Sequence, residues 1–252
     1  MRADELTELA IRWLQSQHPD AYITTELSVA EWGGASVDVA AITLSEIVGV
    51  EIKGEGDSPT RLELQGLTYG RVCRRMWLLP TPEGTLAERC AKKKPKGWGT
   101  LAVEDGAVIP AVRFTSSSGR VERSEAREAP HLCAMAMCET LWRDELTEIA
   151  RTCPDVVIHG GPRPTVPFLR AGIVESLPTP RIHELMVKAL RRRVWPAGKR
   201  VIAPSIDPTT ICAPCKGTGL WQGGTASQYG LRVQDVTCGH CRGTGKVVSN
   251  DG

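Results

Sequence analysis

Two acids and a lysine near the start of the chain have the types and spacing that phosphodiester hydrolysis requires. Asp38 lies in segment 36–40 (SVDVA), and Glu51 and Lys53 end the apolar run 47–53 (IVGVEIK). Two neighbouring carboxylates repel each other, and a hard divalent cation relieves that repulsion by binding oxygens from both. Such a cation polarises a phosphate and activates water, while a lysine stabilises the developing charge. The three residues therefore predict a Mg²⁺ or Mn²⁺ site at which Asp38 and Glu51 bind the metal.

Strand geometry explains how these side chains come together. We expect strands over 36–43 and 46–53, and their short connection predicts an antiparallel hairpin. Because side chains alternate along a strand, Glu51 and Lys53 share one face while the apolar residues between them point to the other. Asp38 on the neighbouring strand then reaches the same cleft.

Further elements surround this hairpin. Apolar residues at helical spacing predict a helix over 3–17, and Ser58 followed by Pro59 is typical of a helix start. The expected order is the helix 3–17, strands 22–29, 36–43 and 46–53, a helix 59–74, a strand 76–79, a helix 83–93 and a hairpin of 98–104 with 107–113. This pattern predicts an α/β domain over residues 1–113, with a mixed sheet flanked by helices.

The second half of the chain is divided by composition. Residues 114–130 are rich in serine, arginine and glutamate and are expected to be a linker. Residues 131–200 are expected to be a helical segment, with helices over 131–152 and 181–194 separated by the proline-rich stretch 154–180. This segment is either a small winged-helix-like module or an extension of the first domain, and the sequence does not decide. Residues 205–248 form a cysteine-containing module, followed by the tail 249–252.

Charge places limits on nucleic-acid binding. The 252 residues carry 31 basic and 29 acidic side chains, a net charge of only +2, so any affinity for DNA must come from local patches. For each basic run, a solvated surface is the alternative interpretation. The candidate DNA-binding residues are Arg61, Lys92, Lys93, Lys94, Arg191, Arg192 and Arg193.

Cysteine usage and hydropathy suggest a location. The sequence contains neither a secretory signal nor an apolar run of about 18 residues, so we expect a cytoplasmic protein with no membrane partner. In a reducing compartment, paired cysteines indicate metal ligands rather than disulfides. Two Cys-x-x-Cys pairs predict one closed tetrahedral Zn²⁺ site, formed by Cys212, Cys215, Cys238 and Cys241. This zinc ribbon either binds DNA, or it has a purely structural role or binds a protein partner.

The triplet and a downstream element resemble one nuclease superfamily. Asp38 with Glu51-Ile52-Lys53 resembles the PD-(D/E)XK motif, with valine in place of the proline before the aspartate. The segment 65–69 (QGLTY) resembles the Gln-x-x-x-Tyr element of RecB-type nucleases. The stretch 26–80 looks most like MmcB-like DNA-repair proteins and phage or plasmid nucleases, and the resemblance covers residues 1–113. The resemblance implies a restriction-endonuclease-like fold and metal-dependent DNA cleavage in repair, recombination or phage DNA processing. It also implies that Gln65 orients substrate or water.

The same resemblance suggests further site residues and an assembly. Glu5 matches an acid that some members add to the metal site, and Glu8 is the alternative on the same helix. Tyr69 follows Gln65 by four residues, so both lie on one face of the predicted helix. Many nucleases of this fold cut as dimers, and a homodimer is compatible with the sequence.

The cysteine pairs resemble a different family. The form Cys-x-x-Cys-x-Gly-x-Gly is similar to the zinc-binding region of DnaJ-type chaperones, which carries four copies and two ions, whereas two copies here imply one Zn²⁺. The His-Pro-Asp signature of a J-domain is absent from the sequence. Two alternatives to a nuclease therefore stay open. One is a catalytically inactive DNA-binding or regulatory protein on a nuclease fold, and the other is a DnaJ-like protein-interaction module.

Overall fold

The computed structural model describes residues 1–29, 35–82, 84–115, 120–159, 161–205, 220–227 and 230–237. The chain divides into two compact units, Met1–Ala203 and Pro204–Gly252. The second unit contains an antiparallel hairpin in its described part, and the four predicted zinc ligands Cys212, Cys215, Cys238 and Cys241 lie outside the described residues. No helix in the described ranges is long and apolar enough to cross a membrane.

The first unit is an α/β domain. In chain order its elements are α1 (Ala3–Gln17), β1 (Tyr22–Ser28), β2 (Ser36–Ile42), β3 (Ile47–Lys53), a 3-10 turn (Pro59–Arg61), α2 (Leu62–Tyr69), β4 (Arg75–Pro80), α3 (Leu86–Lys93), β5 (Gly99–Glu104), β6 (Ala107–Pro110), β7 (Val112–Thr115), β8 (Arg120–Arg123), α4 (Ala134–Glu139), α5 (Arg143–Thr152), α6 (Val166–Ser176), α7 (Thr179–Arg192) and β9 (Val201–Ile202). The hairpin of the second unit consists of β10 (Leu220–Ser227) and β11 (Gly230–Thr237).

A mixed seven-stranded sheet organises the first unit, with the strand order β6-β5-β4-β3-β2-β1-β9. The strands β1, β2 and β3 form an antiparallel meander, and β3 pairs in parallel with β4 after the crossover through α2. β4 pairs in parallel with β5, which pairs antiparallel with β6. The α/β class, the helix at 3–17 and the antiparallel hairpin of β2 and β3 are confirmed.

Both faces of the sheet are covered. On one face, Leu6, Trp13 and Leu14 of α1 pack against Val39 and Val50 in one apolar core. On the other face, helices α2 to α7 contribute to a second core that includes apolar residues of β2 and β4. The meander is therefore buried on both sides, which explains why β3 is buried along its whole length.

The stretch expected to be a linker contains regular structure. β7 and β8 pair antiparallel from Val112–Arg123 to Thr115–Arg120. Beyond them, Glu128 forms ion pairs with Arg74 and Arg75 at 2.5 and 2.9 Å. These contacts place the end of this stretch, residues 128–129, against the start of β4, and the N–H of Ala129 donates to the carbonyl of Arg74.

The helical segment differs from the expectation in two places. The helix predicted over 131–152 is interrupted, because α4 ends at Glu139 and α5 begins at Arg143. The proline-rich stretch contains α6, a helix that the sequence pattern does not predict. The helices belong to the first unit and extend its core, with Arg191 donating to the carbonyl of Ile42 at 2.9 Å.

Candidate active site

The candidate site lies where the pairing of β2 and β3 ends. Their ladder runs from Ile42–Ile47 to Val39–Val50, and Asp38 and Glu51 are the next residues of the two strands. There the N–H of Ile52 donates to Oδ2 of Asp38 at 2.7 Å instead of to a backbone carbonyl. The end of the hairpin therefore holds the Asp38 carboxylate between the two strands.

Glu51 and Lys53 form a buried acid–amine pair. Nζ of Lys53 donates to Oε1 of Glu51 at 2.6 Å, and the two residues are 7% and 2% exposed, respectively. Val50 and Ile52 pack in the core beside α1, so the predicted alternation along β3 is confirmed. The expected open cleft around the pair is not found, because both side chains are covered. A buried charge is costly unless it is paired, and each of these residues pairs the other.

Gln65 joins this pair from α2. Its Nε2 donates to Oε1 of Glu51 at 2.6 Å and contacts the Tyr69 hydroxyl at 3.3 Å. The Tyr69 hydroxyl in turn donates to the carbonyl of Ser36 at 2.7 Å, which fastens α2 to β2. Ser58 caps the 3-10 turn that leads into α2, and Pro59 fixes its first position. The structure thus brings Asp38, Glu51, Lys53, Gln65 and Tyr69 together.

Two buried acceptors in this cluster have no donor. In the part of the chain that the structure describes, Oε2 of Glu51 and Oε1 of Gln65 make no hydrogen bond. A buried polar atom normally has a partner, so an orphaned carboxylate oxygen is the atom to which a cation or a water molecule would bind. The orphaned Oε2 belongs to the same carboxylate that faces Asp38. The negative charge of the cluster is therefore not fully compensated by the described residues around it.

The proximity of Glu51 changes the acidity of Asp38. Burial, followed by the negative charge of Glu51, raises the pKa of Asp38 from 3.8 to about 7, against the opposing effects of the Ile52 N–H and Lys53. Burial and then the charge of Glu51 also raise the pKa of Tyr69. The Tyr69 hydroxyl therefore stays protonated and acts as a donor, while Asp38 titrates near neutral pH.

An acidic cleft of about 390 Å³ leads to Asp38. Among the described residues, the charged side chains that line this cleft are five acids and one base: Asp4, Glu8, Glu26, Asp38, Asp57 and Arg200. Arg200 forms a two-pronged ion pair with Glu8, with one contact at 2.9 Å. The cleft has a strong excess of acids, which favours cations.

The first helix contributes Glu8 rather than Glu5 to this cleft. Oε2 of Glu5 accepts the N–H of Arg2 at 2.7 Å and so caps the start of α1, where the side chain is exposed. Gly54 directly follows Lys53 and lies so close to α1 that a Cβ there would be 2.9 Å from the backbone nitrogen of Ala3. The start of α1 is therefore packed against the end of β3, beside the cleft.

Glu26 reaches the cleft through an unusual backbone conformation. Its φ is +50°, a left-handed value that is uncommon for residues other than glycine. Ile23 packs in the core beside α1, whereas Leu27 packs in the opposite core, although both would face one side of a regular strand. The irregularity at Glu26 thus turns β1 over and leaves its side chain exposed beside Asp38. No signal in the sequence indicates it.

The cluster fits a divalent cation with few protein ligands. Among the described residues, no three His, Cys, Asp or Glu side chains are grouped as metal ligands. Mg²⁺ nevertheless binds through one or two carboxylates and completes its shell with water and substrate phosphates. Asp38, which lines the cleft, and Glu51, with its orphaned Oε2, supply that minimum.

The candidate DNA-binding residues fall into two groups. Arg191 and Arg193 are used internally, since Arg191 binds the carbonyls of Asp20 and Ile42, and Arg193 pairs with Glu145 at 2.6 Å beneath the ring of Trp142. Lys94 contacts the carbonyl of Trp98. The exposed members are Arg61, Lys92, Lys93 and Arg192. Exposed cations therefore remain on the 3-10 turn and at the ends of α3 and α7.

The fold and the site together define an α/β domain with a buried acid–amine–amide cluster at the end of its central hairpin. The sequence matches no protein-family model, no curated protein and no solved structure. Its function must therefore be inferred from the cluster and the cleft.

Proposed function

We propose that the first unit is a metal-dependent nuclease of the PD-(D/E)XK type, which hydrolyses phosphodiester bonds in DNA. The observation that carries this proposal is the convergence of Asp38, Glu51, Lys53 and Gln65 at one end of the hairpin. Two carboxylates in contact, one of them with an orphaned oxygen, form a site that needs a cation.

The topology supports the finer assignment to a restriction-endonuclease-like core. A helix precedes an antiparallel meander of three strands, and a helical crossover then leads to a parallel fourth strand. The acids lie on the second and third strands, and the glutamine lies on the crossover helix. This arrangement gives the motif residues a shared location at the end of the hairpin.

Each residue has a distinct task in this mechanism. A bound Mg²⁺ or Mn²⁺ would polarise the scissile phosphate and lower the pKa of the attacking water. Asp38 and Glu51 would hold the cation, and the Ile52 N–H fixes the orientation of Asp38. Lys53 neutralises Glu51 and places an ammonium group beside the site of charge development. Gln65 orients Glu51, and its Oε1, which accepts no hydrogen bond from the described residues, would orient water or substrate.

The second unit is proposed to hold one structural Zn²⁺ through Cys212, Cys215, Cys238 and Cys241. Four thiolates leave no open coordination position, so this ion would stabilise the fold rather than take part in the reaction. The basic residues next to the ligands, Lys216, Arg242 and Lys246, support a DNA-gripping role. A protein-binding role for the ribbon is the alternative, and removal of residues 205–252 separates the two through DNA affinity.

Cleavage assays on conservative variants test the nuclease assignment. The purified chain is incubated with plasmid, linear and branched DNA in the presence of Mg²⁺ or Mn²⁺. Asp38→Asn and Glu51→Gln keep the shape of each side chain but remove a charge, and each is expected to reduce cleavage by at least about a hundredfold. Glu55→Ala is the matched control, because Glu55 is an exposed acid two residues beyond Lys53.

The outcomes distinguish the open alternatives. Cleavage by the wild-type chain and by Glu55→Ala, with none by the two site variants, supports the nuclease. Equal cleavage by all four proteins would attribute the activity to a contaminant and refute the assignment. Salt-dependent DNA binding with no cleavage under either metal would instead favour an inactive DNA-binding protein on the same fold.

A further inference from the structure

A second cavity lies on the other side of α2 from the catalytic cluster. It has a volume of about 530 Å³, within the range of small-molecule sites, and Gly66, Leu67 and Gly70 of α2 line it together with Trp98. Gln65 and Tyr69 of the same helix point to Glu51. One helix, about 10 Å wide, therefore separates this cavity from the catalytic cluster.

The walls of this cavity suit a flat apolar group. The ring of Pro95 packs directly on Gly66, where a Cβ would be 2.4 Å from it, and Gly70 adds no side-chain bulk to the α2 wall. Trp98 lines the cavity and is stacked on Tyr69, with ring centroids 6.1 Å apart and planes within 9°. Trp98 is 6% exposed, with one face covered by Tyr69, so a planar base would contact the exposed part of this ring and the apolar residues around it. Contacts between bases and aromatic side chains depend little on base identity.

The rim of the cavity carries basic side chains that have no partner among the described residues. Arg71, Lys96 and Arg127 line it, and within the described ranges none of them has a side-chain hydrogen bond or ion pair. The two acids of the rim are balanced, since Glu128 pairs with Arg74 and Arg75, and Glu63 is 3.9 Å from Lys93. The rim therefore has an excess of positive charge, as a phosphate-binding edge requires.

We propose that this cavity binds one nucleotide of a single DNA strand, with the base against the apolar wall and the phosphates on the rim. The choice of DNA as the ligand rests on the proposed nuclease function. That the ligand combines a planar group with an anion is inferred from the apolar wall and the basic rim of the cavity. Trp98, Tyr69 and Gln65 connect the cavity to Glu51 through consecutive contacts, so a strand held there would lie next to the catalytic cluster. The cavity thus selects unpaired DNA next to the bond that is cut.

Binding measured without metal tests this site separately from cleavage. Fluorescence anisotropy of a labelled oligothymidylate is recorded over a series of salt concentrations in EDTA, with the full chain and with an abasic strand of equal length. Arg71→Glu is expected to weaken binding by about tenfold and to reduce the slope of log affinity against log salt by about 0.7. Arg163→Glu, which reverses an exposed arginine that lines none of the cavities described, is the control.

The abasic strand tests for the base. Stacking of one base predicts about tenfold tighter binding of the thymidylate strand than of the abasic strand. Leu67→Ala should reduce this preference, and it should leave the fold intact because Leu67 is 67% exposed. Equal binding of the two strands by the wild-type chain, or unchanged binding by Arg71→Glu, would overturn the proposal. If the wild-type chain binds the thymidylate strand more tightly than the abasic strand but does not cleave plasmid DNA, the nuclease assignment is refuted and this site is not.

Discussion

Asp38→Asn should make the protein more stable while it abolishes metal-dependent cleavage. In the folded chain the Asp38 carboxylate is half-buried and faces the charge of Glu51, which raises its pKa from 3.8 to about 7. Asparagine keeps an oxygen that can accept the N–H of Ile52, so this hydrogen bond at the hairpin end is preserved. The substitution removes only the charge that the fold resists.

The magnitude follows from proton linkage. A folded-state pKa above the unfolded value means that the folded protein holds the proton more tightly, so this contribution to stability is complete below pH 3.8 and is lost as the pH rises through 7. At about 1.36 kcal/mol per pKa unit, the loss is about 4 kcal/mol at most. Solvent in the acidic cleft screens the charges, and we expect about 2 kcal/mol.

Urea unfolding in EDTA, followed by tryptophan fluorescence at about pH 5 and about pH 8, measures this effect. The stability advantage of Asp38→Asn over the wild-type chain should grow between the two pH values. Asp57→Asn is the matched control, because Asp57 lines the same cleft and accepts the N–H of Gly54 but is exposed. Mg²⁺ at about pH 8 should stabilise the wild-type chain and not Asp38→Asn. Parallel pH curves for Asp38→Asn and the wild type would refute the electrostatic account of this site.

Two further predictions concern the buried pair and the cysteines. Lys53→Met leaves Glu51 buried without its cation and should lower the free energy of unfolding by about 3 kcal/mol. The double variant Lys53→Met/Glu51→Gln should regain most of that loss, because the buried acid is then neutral. Urea midpoints of the two variants measure this, and equal destabilisation of both would contradict it. The purified chain should contain about one Zn²⁺ by elemental analysis, and Cys215→Ser should release it; a metal content unchanged by Cys215→Ser would exclude the proposed ligand set.

The elements around the site were predictable because their patterns are local. β2 and β3 combine β-branched residues with a very short connection, and both strands and their antiparallel pairing follow from that pattern. The spacing of Gln65 and Tyr69 predicts that both lie on one helical face. In the structure Gln65 contacts Glu51 directly, and Tyr69 contacts Gln65. What sequence periodicity could not show is that Glu51 and Lys53 are covered, because burial depends on α2 and on the start of α1.

Other features depend on contacts between distant parts of the chain. α6 begins at Val166 with Pro167 in its first turn, where proline is tolerated, and the richness of the region in proline concealed the helix. The interruption before α5 follows from capping by Glu145, whose Oε2 accepts the N–H of Trp142 at 2.7 Å. Arg200 lies 192 residues from Glu8, and no local pattern relates them.

The energetics of the cluster favour a binding role over a structural one. A buried ionic group can often be replaced by a neutral one of similar shape with no loss of stability, and here asparagine at Asp38 would relieve repulsion rather than cost a contact. The chain instead retains two carboxylates whose repulsion is only partly offset by Lys53, with Oε2 of Glu51 left without a donor. A divalent cation removes both costs at once, because it neutralises the second charge and gives the orphaned oxygen a partner. The same acids that lower the stability of the metal-free chain therefore increase its affinity for the metal that the proposed reaction requires.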